Sequence, residues 1–193
     1  MTDCWIGIDQ SYGGFGLCVL RDADHETTVT EFPSVLHGEG VDRLDAIGRW
    51  FSERIRAVTQ TYRVAHVCME GYAYGTTHGR EEAGELGAVV KTVLRYLLDD
   101  PACYPTIVAP SSLKKFATAD GRANKSLVVQ GVKTRWGVDF EALMTKTRAH
   151  NAADAYVLAR IAQAMEVDSG DYREMRIREA LTPHTEQRVR GRA

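Results

Sequence analysis

His66-Val-Cys-Met-Glu-Gly-Tyr-Ala-Tyr-Gly75 begins as a buried strand and ends on one carboxylate, Glu70, followed at once by glycine and two tyrosines. An acidic residue closing an apolar strand ahead of a glycine-rich turn stands at the strand's carboxyl end, where open α/β sheets place their ligands. Alone, such a glutamate fits a solvated loop entrance as well as a site. Its meaning depends on whether other carboxylates converge on it.

Upstream, Cys4 to Asp9 is a short apolar run with β-branched residues, read as a first strand ending on a second carboxylate. Tyr12-Gly13-Gly14 supplies turn chemistry, Gly16 to Leu20 returns as a second strand, and Thr27 to Phe32 makes a third. The connections are too short for crossover helices, so the three form an antiparallel meander. Between Asp42 and Thr59 the period changes, with Leu44, Ile47, Phe51, Ile55 and Val58 at helical spacing.

Downstream, Leu86, Val90, Val93, Leu94 and Leu97 mark a helix from about Glu82 to Leu98, and Pro105 to Ala109 is a fifth strand. A short helix capped by Ser111 and Ser112, a helix from about Asn124 to Trp136 and an alanine-dense helix from Arg148 to Glu166 follow. The alternation predicts an α/β fold, a mixed five-stranded sheet flanked by helices. One domain spans residues 1–167, with a peripheral helix and basic tail over 168–193.

If the first and fourth strands are parallel neighbours, Asp9 and Glu70 emerge at one sheet edge. Asp154 lies on the last helix, with Asn151 three residues before it on the same face and His150 four before it. Mg²⁺ demands hard oxygen ligands and keeps several waters. Two such ions roughly 3.5–4 Å apart clamp the attacking water and leaving oxygen of a phosphodiester. Without metal, convergent carboxylates repel one another, so a purely structural role for the set is not expected. Singly, Asp9 fits a turn-former and Asp154 a solvated helix residue; the joint pattern carries the reading.

At 193 residues the chain suits one domain with a substantial core rather than two. No apolar run approaches the roughly 20 residues of a membrane helix. The amino terminus has no basic region before an apolar run, so no signal peptide is expected. Cys4, Cys18, Cys68 and Cys103 form no Cys-x-x-Cys pair and read as core thiols of a reducing cytosol. The net charge of −2 does not announce a polyanion binder, yet eight basic residues face three acidic ones between Ser111 and His150. A local field of that sign makes Lys114, Lys115, Arg122 and Lys125 candidate DNA contacts.

Gly7-Ile8-Asp9-Gln10-Ser11, with Gly16 opening the next strand, resembles the first motif of RuvC-like Holliday junction resolvases, members of the RNase H-like nuclease superfamily. Glu70 after Val-Cys-Met matches that family's strand-four glutamate, and Ala152-Ala153-Asp154-Ala155 its final helix motif. Leu113-Lys114 and Gly121-Arg-Ala-Asn-Lys125 resemble its two spaced lysines. The likeness runs in order from about Trp5 to Ala164. It implies an RNase H-like fold and a Mg²⁺-dependent endonuclease using two ions, Mn²⁺ substituting. Its Asp9, Glu70 and Asp154 would be metal ligands, and a homodimer would nick a four-way DNA junction symmetrically.

Lys114 and Lys125 would then contact the scissile phosphate or its neighbours, or be solvated surface lysines. Tyr72 or Tyr74 would supply an aromatic wedge, or pack in the core. The helix from Glu82 to Leu98 resembles the family's dimer contact, or its apolar face is sheet-facing core. One departure is plain: Asn151 stands where the family commonly has a fourth acid or a histidine, and either Asn151 or His150 could supply that ligand. The compartment implied is the cytoplasm of a bacterial cell or phage-infected host, with no membrane partner.

Other classes share parts of the pattern. A related nuclease could cut other branched DNA or RNA–DNA hybrid. An actin-like ATPase or sugar kinase also opens with Gly-x-Asp before a hairpin, but needs two such domains and a second Asp-x-Gly-Gly loop. A junction-binding module with weakened catalysis has only Asn151 in its favour.

Overall fold

The computed structural model describes residues 1–22, 24–71, 80–98 and 104–166. Strand β1 (Thr2–Asp9) runs through the middle of one five-stranded sheet. It pairs antiparallel with β2 (Phe15–Leu20), which pairs antiparallel with β3 (His25–Thr30). On its other side β1 lies parallel to β4 (Tyr62–Glu70), and β4 lies parallel to the three-residue β5 (Thr106–Val108). The order is β3-β2-β1-β4-β5, the mixed sheet expected from the sequence. The third strand stops at Thr30 rather than Phe32 because its partner β2 begins at Phe15, opposite Thr30. Phe32 is buried instead, edge-on against Trp50.

Strand alternation gives the sheet two different faces. Cys4, Ile6, Ile8, Leu17, Val19, Val67 and Met69 meet Ile47, Phe51 and Ile55 of α2 (Gly40–Thr61) and Leu86, Val90 and Leu94 of α3 (Arg80–Leu97). The apolar stripe of α3 is thus sheet-facing core. A four-residue helix, α1 (Ser34–His37), precedes α2 without a buried residue and was not foreseen.

The opposite face carries α4 (Pro110–Thr118), α5 (Lys125–Trp136), the short α6 (Phe140–Leu143) and α7 (Lys146–Glu166). Helix α4 starts on Pro110, a residue suited to a first turn, and Ala109 rather than a serine hydroxyl occupies its cap. The small α6 also escaped the sequence reading. Helix α7 is buried on nearly every side, packed on β1, β2 and β4 beneath α4, α5 and α6. Glycine permits its close approach. A Cβ on Gly7 would fall 2.0 Å from the Ala155 carbonyl oxygen, and one on Gly16 would fall 2.7 Å from that of Asn151. Ala152, Ala153, Ala155 and Ala159 are fully buried in this contact layer. The third turn of α7, which carries Asp154 and Ala155, therefore lies over the carboxyl half of β1.

Cys4, Cys18 and Cys68 are buried, as core thiols should be; Cys103 lies outside the described residues. Among the described residues no helix is long and apolar enough to cross a membrane.

Candidate active site

The parallel register of β1 and β4 runs through Gly7 with Cys68 and Ile8 with Met69. One step further, Asp9 and Glu70 close neighbouring strands on the face covered by α7. Asp9 is only 4% exposed, and one of its oxygens, Oδ2, is buried without a hydrogen-bond partner. Its pKa is pushed well above the carboxylate range, by burial first and then by the charges of Glu70 and Asp154. A hydrogen bond with the Glu70 carboxyl adds to the rise, and only Lys125 opposes it. A buried carboxyl among like charges is stabilised by a nearby cation.

Asp154 descends on them from α7 and is 6% exposed. Burial and the Glu70 charge raise its pKa to about 7, against the pull of Lys125 and Lys114. The Lys125 Nζ stands 3.8 Å from Asp154 Oδ2. Its position follows from local chemistry: Asn124 caps α5, its side chain accepting the Leu127 N–H at 2.9 Å, so Lys125 projects from the first turn. Lys114 reaches the same charge from α4. Five elements thus bring together three carboxylates and two lysines that the sequence places up to 145 positions apart (Asp9 to Asp154).

The donors fit a hard divalent cation. They are all oxygens, the Asp9 oxygen is orphaned in the interior, and the summed negative charge of the carboxylates is offset mainly by partly exposed lysine. Among the described residues no three acidic, histidine or cysteine side chains already close into a metal shell.

The remaining candidates separate. Asn151 is 8% exposed and turned toward the β1–β2 connection, its Nδ2 donating to the Gly14 carbonyl at 3.0 Å. From the other layer Arg43 donates to the Tyr12 carbonyl at 2.8 Å, so helices on both faces pin the turn that follows Asp9. His150 is half-buried with Nε2 unpartnered; burial, Lys125 and Lys146 lower its pKa, while Glu141 raises it. Lys115 and Arg122 are exposed on the α4–α5 side, and the Arg122 main-chain N–H donates to Asp120. Tyr72 and Tyr74 lie outside the described residues. The sequence reading placed Gly14 in a turn and Gln10 in the first motif, but not the long-range bonds each makes. Gln10 donates from Nε2 to the Glu70 carbonyl at 3.3 Å, a link across 60 positions with no local signature.

No protein-family model matches the sequence, nor does any curated protein. Solved structures do match. Thermus thermophilus RuvC aligns with a TM-score of 0.58 at 19% identity, covering 86% of this chain and 98% of that one. T. thermophilus RuvC in complex with Holliday junction substrate gives 0.58 and 19%, covering 81% and 92%. The yeast mitochondrial Holliday junction resolvase Ydc2 gives 0.50 and 13%, covering 91% and 79%. At these identities the likeness is one of fold, and the shared architecture is the one built above from register and close packing. This chain has the RNase H-like fold of the RuvC-type Holliday junction resolvases.

Proposed function

We propose that the chain is a divalent-cation-dependent endonuclease that cuts four-way DNA junctions. The observation that carries this reading is the convergence of Asp9, Glu70 and Asp154 at one sheet edge, with a buried Asp9 oxygen left unpaired. Asp9, Glu70 and Asp154 hold the cations, Mg²⁺ by preference with Mn²⁺ able to replace it. Asn151 offers its amide oxygen as a neutral fourth donor, its nitrogen being engaged with Gly14. His150 is the alternative there, and imidazole suits Mn²⁺ better than Mg²⁺.

Cations in such a site supply activation of water and neutralisation of charge at the scissile phosphate. The protein's own part is to orient and to balance. Lys125 and Lys114 place positive charge beside Asp154, where the phosphate of a bound strand would lie. Lys115 and Arg122 extend that field along the exposed α4–α5 surface and hold the backbone of an adjoining arm. The burial of Asp9 and Asp154 keeps bulk water from screening the cations. Two nicks across a symmetric junction call for a homodimer with twofold symmetry.

Cleavage of a synthetic four-way junction, a linear duplex and an RNA–DNA hybrid, with and without Mg²⁺, tests the reading. Paired, Mg²⁺-dependent nicks confined to the junction are expected. Preference for the hybrid would make the chain an RNA-cutting relative on the same fold, and inactivity on every substrate would contradict an endonuclease.

A further inference from the structure

The last register pair between β1 and β4 is Ile8 with Met69, yet the two strands remain tied beyond it. The link is a side chain. Gln10 Nε2 donates to the Glu70 carbonyl at 3.3 Å, where a backbone N–H would sit if the ladder continued. Glu70 is also fixed on its other side, because the Gly71 N–H donates to the Val108 carbonyl at 2.8 Å. Gly71 itself is wedged: a Cβ there would lie 2.9 Å from Ile107 Cγ2. The main chain bearing the Glu70 carboxylate is thus clamped between β5 and Gln10.

The rest of Gln10 is unexpected in a plain structural tie. Its Oε1 is buried without a partner, as is Oδ2 of its neighbour Asp9. An amide oxygen left unpaired in the interior is a penalty that a simple apolar residue would avoid. The Gln10 amide is assigned with nitrogen toward the Glu70 carbonyl because the reverse orientation would set oxygen against oxygen.

We propose that Gln10 is a positioning residue for the cation site, fixing the spacing of the Asp9 and Glu70 carboxylates by tying the end of β1 to the Glu70 main chain. This rests on the reading of those carboxylates as cation ligands. Gln10 touches neither substrate nor reacting atoms; it acts through Glu70. Removing the donor lets the two strand ends drift apart, and cation affinity falls while the fold, built elsewhere, persists. One lost hydrogen bond corresponds to about fivefold in affinity.

The test is Mn²⁺ binding to the full-length protein, followed by electron paramagnetic resonance, for the parent, Gln10→Met, Gln10→Leu and Asp9→Asn. Thermal unfolding in chelator is measured alongside. The expected result is Mn²⁺ binding weakened about fivefold in Gln10→Met, with a thermal midpoint near the parent's. Saturating Mg²⁺ should also restore its cleavage rate. Parent-like Mn²⁺ affinity in both Gln10 variants, beside lost binding in Asp9→Asn, overturns the role of Gln10 alone. Parent-like affinity in Asp9→Asn overturns the cation site and the role of Gln10 with it. A Gln10→Met protein with a lowered midpoint but unchanged affinity makes Gln10 an ordinary strand tie and also overturns the proposal; Gln10→Leu repeats the measurement if methionine fails to fold.

Discussion

The two faces of the sheet are packed by opposite rules. Against α2 and α3, large side chains such as Ile6, Ile8, Phe51, Ile55, Leu86 and Leu94 fill the gap. Against α7, glycine and alanine remove it, and the helix backbone rests directly on β1 and β2. Only the second arrangement brings a helical carboxylate down onto carboxylates that end two strands. A thick aliphatic layer would hold Asp154 several ångströms higher, out of reach of the Glu70 charge that raises its pKa. Both faces bury a core, but only the α7 face brings a helix backbone into contact with the strands that carry Asp9 and Glu70.

The sharpest way to break this contrast is a pair of glycine substitutions. Gly7→Ala places a methyl group 2.0 Å from the Ala155 carbonyl, where backbone must move. It should cost about 3 kcal/mol or more by overpacking and show as a large drop in thermal midpoint. Gly48→Ala on α2 meets only the tip of Val89, at 3.1 Å. The helix gains propensity of about 1 kcal/mol, so the net change should lie near zero. Equal destabilisation by both would remove the distinction between the faces.

Charge sharpens the same contrast with smaller effects. Lys125 lies beside Asp154, whereas Lys133 on the same helix is engaged with Asp139 at 2.6 Å. Lys125→Ala should slow cleavage on the order of 10- to 100-fold, below the loss from a fully buried donor. It should also reduce the salt slope of junction binding by about one counterion. Lys133→Ala should leave the rate within about twofold of the parent, as surface ion pairs contribute little. Single-turnover kinetics distinguishes them.

The metal-free protein should also carry the site's signature in its pH dependence. Asp154 has a pKa of about 7 in the folded chain, raised by burial and by Glu70 from 3.8, and Asp9 is raised in the same direction. Between pH about 4 and pH about 7 the folded state therefore binds more protons than the unfolded state, and stability falls as pH rises. Stability contributed below the unfolded pKa is lost by the time pH passes the folded one. Thermal midpoints in chelator should decline across that window, and Asp154→Asn should flatten the decline. A flat parent profile would mean that neither burial nor the neighbouring charge raises these carboxyls in the folded chain.

Much of this was legible in the sequence, for reasons that explain what was not. The strands around Ile6, Val19 and Val67 and the stripes of α2 and α3 announce themselves by period. Asp9 and Glu70 stand where strand ends are predictable, so their meeting followed once β1 and β4 were taken as parallel, whereas Asp154 lies inside α7 and the strand pattern alone did not place it. The crowding of alanines in α7 is visible in the sequence, and the close approach to the sheet is what those small side chains permit. Side-chain bonds over long separations have no such signal: Asn151 to Gly14 spans 137 positions and Gln10 to Glu70 spans 60. Asn151 stands one helical turn from Asp154, yet its nitrogen is used to hold the turn after β1. The small α1 and α6 are too short for a periodic pattern to form.

The central claim is that the three carboxylates act together in cleavage and are dispensable for holding DNA. It is tested most directly by measuring junction binding and cleavage side by side for the parent and Asp9→Asn. The account predicts that Asp9→Asn loses Mg²⁺-dependent cleavage while binding the four-way junction at least as tightly, since affinity comes from basic residues on phosphates. Near-normal cleavage by Asp9→Asn would contradict it.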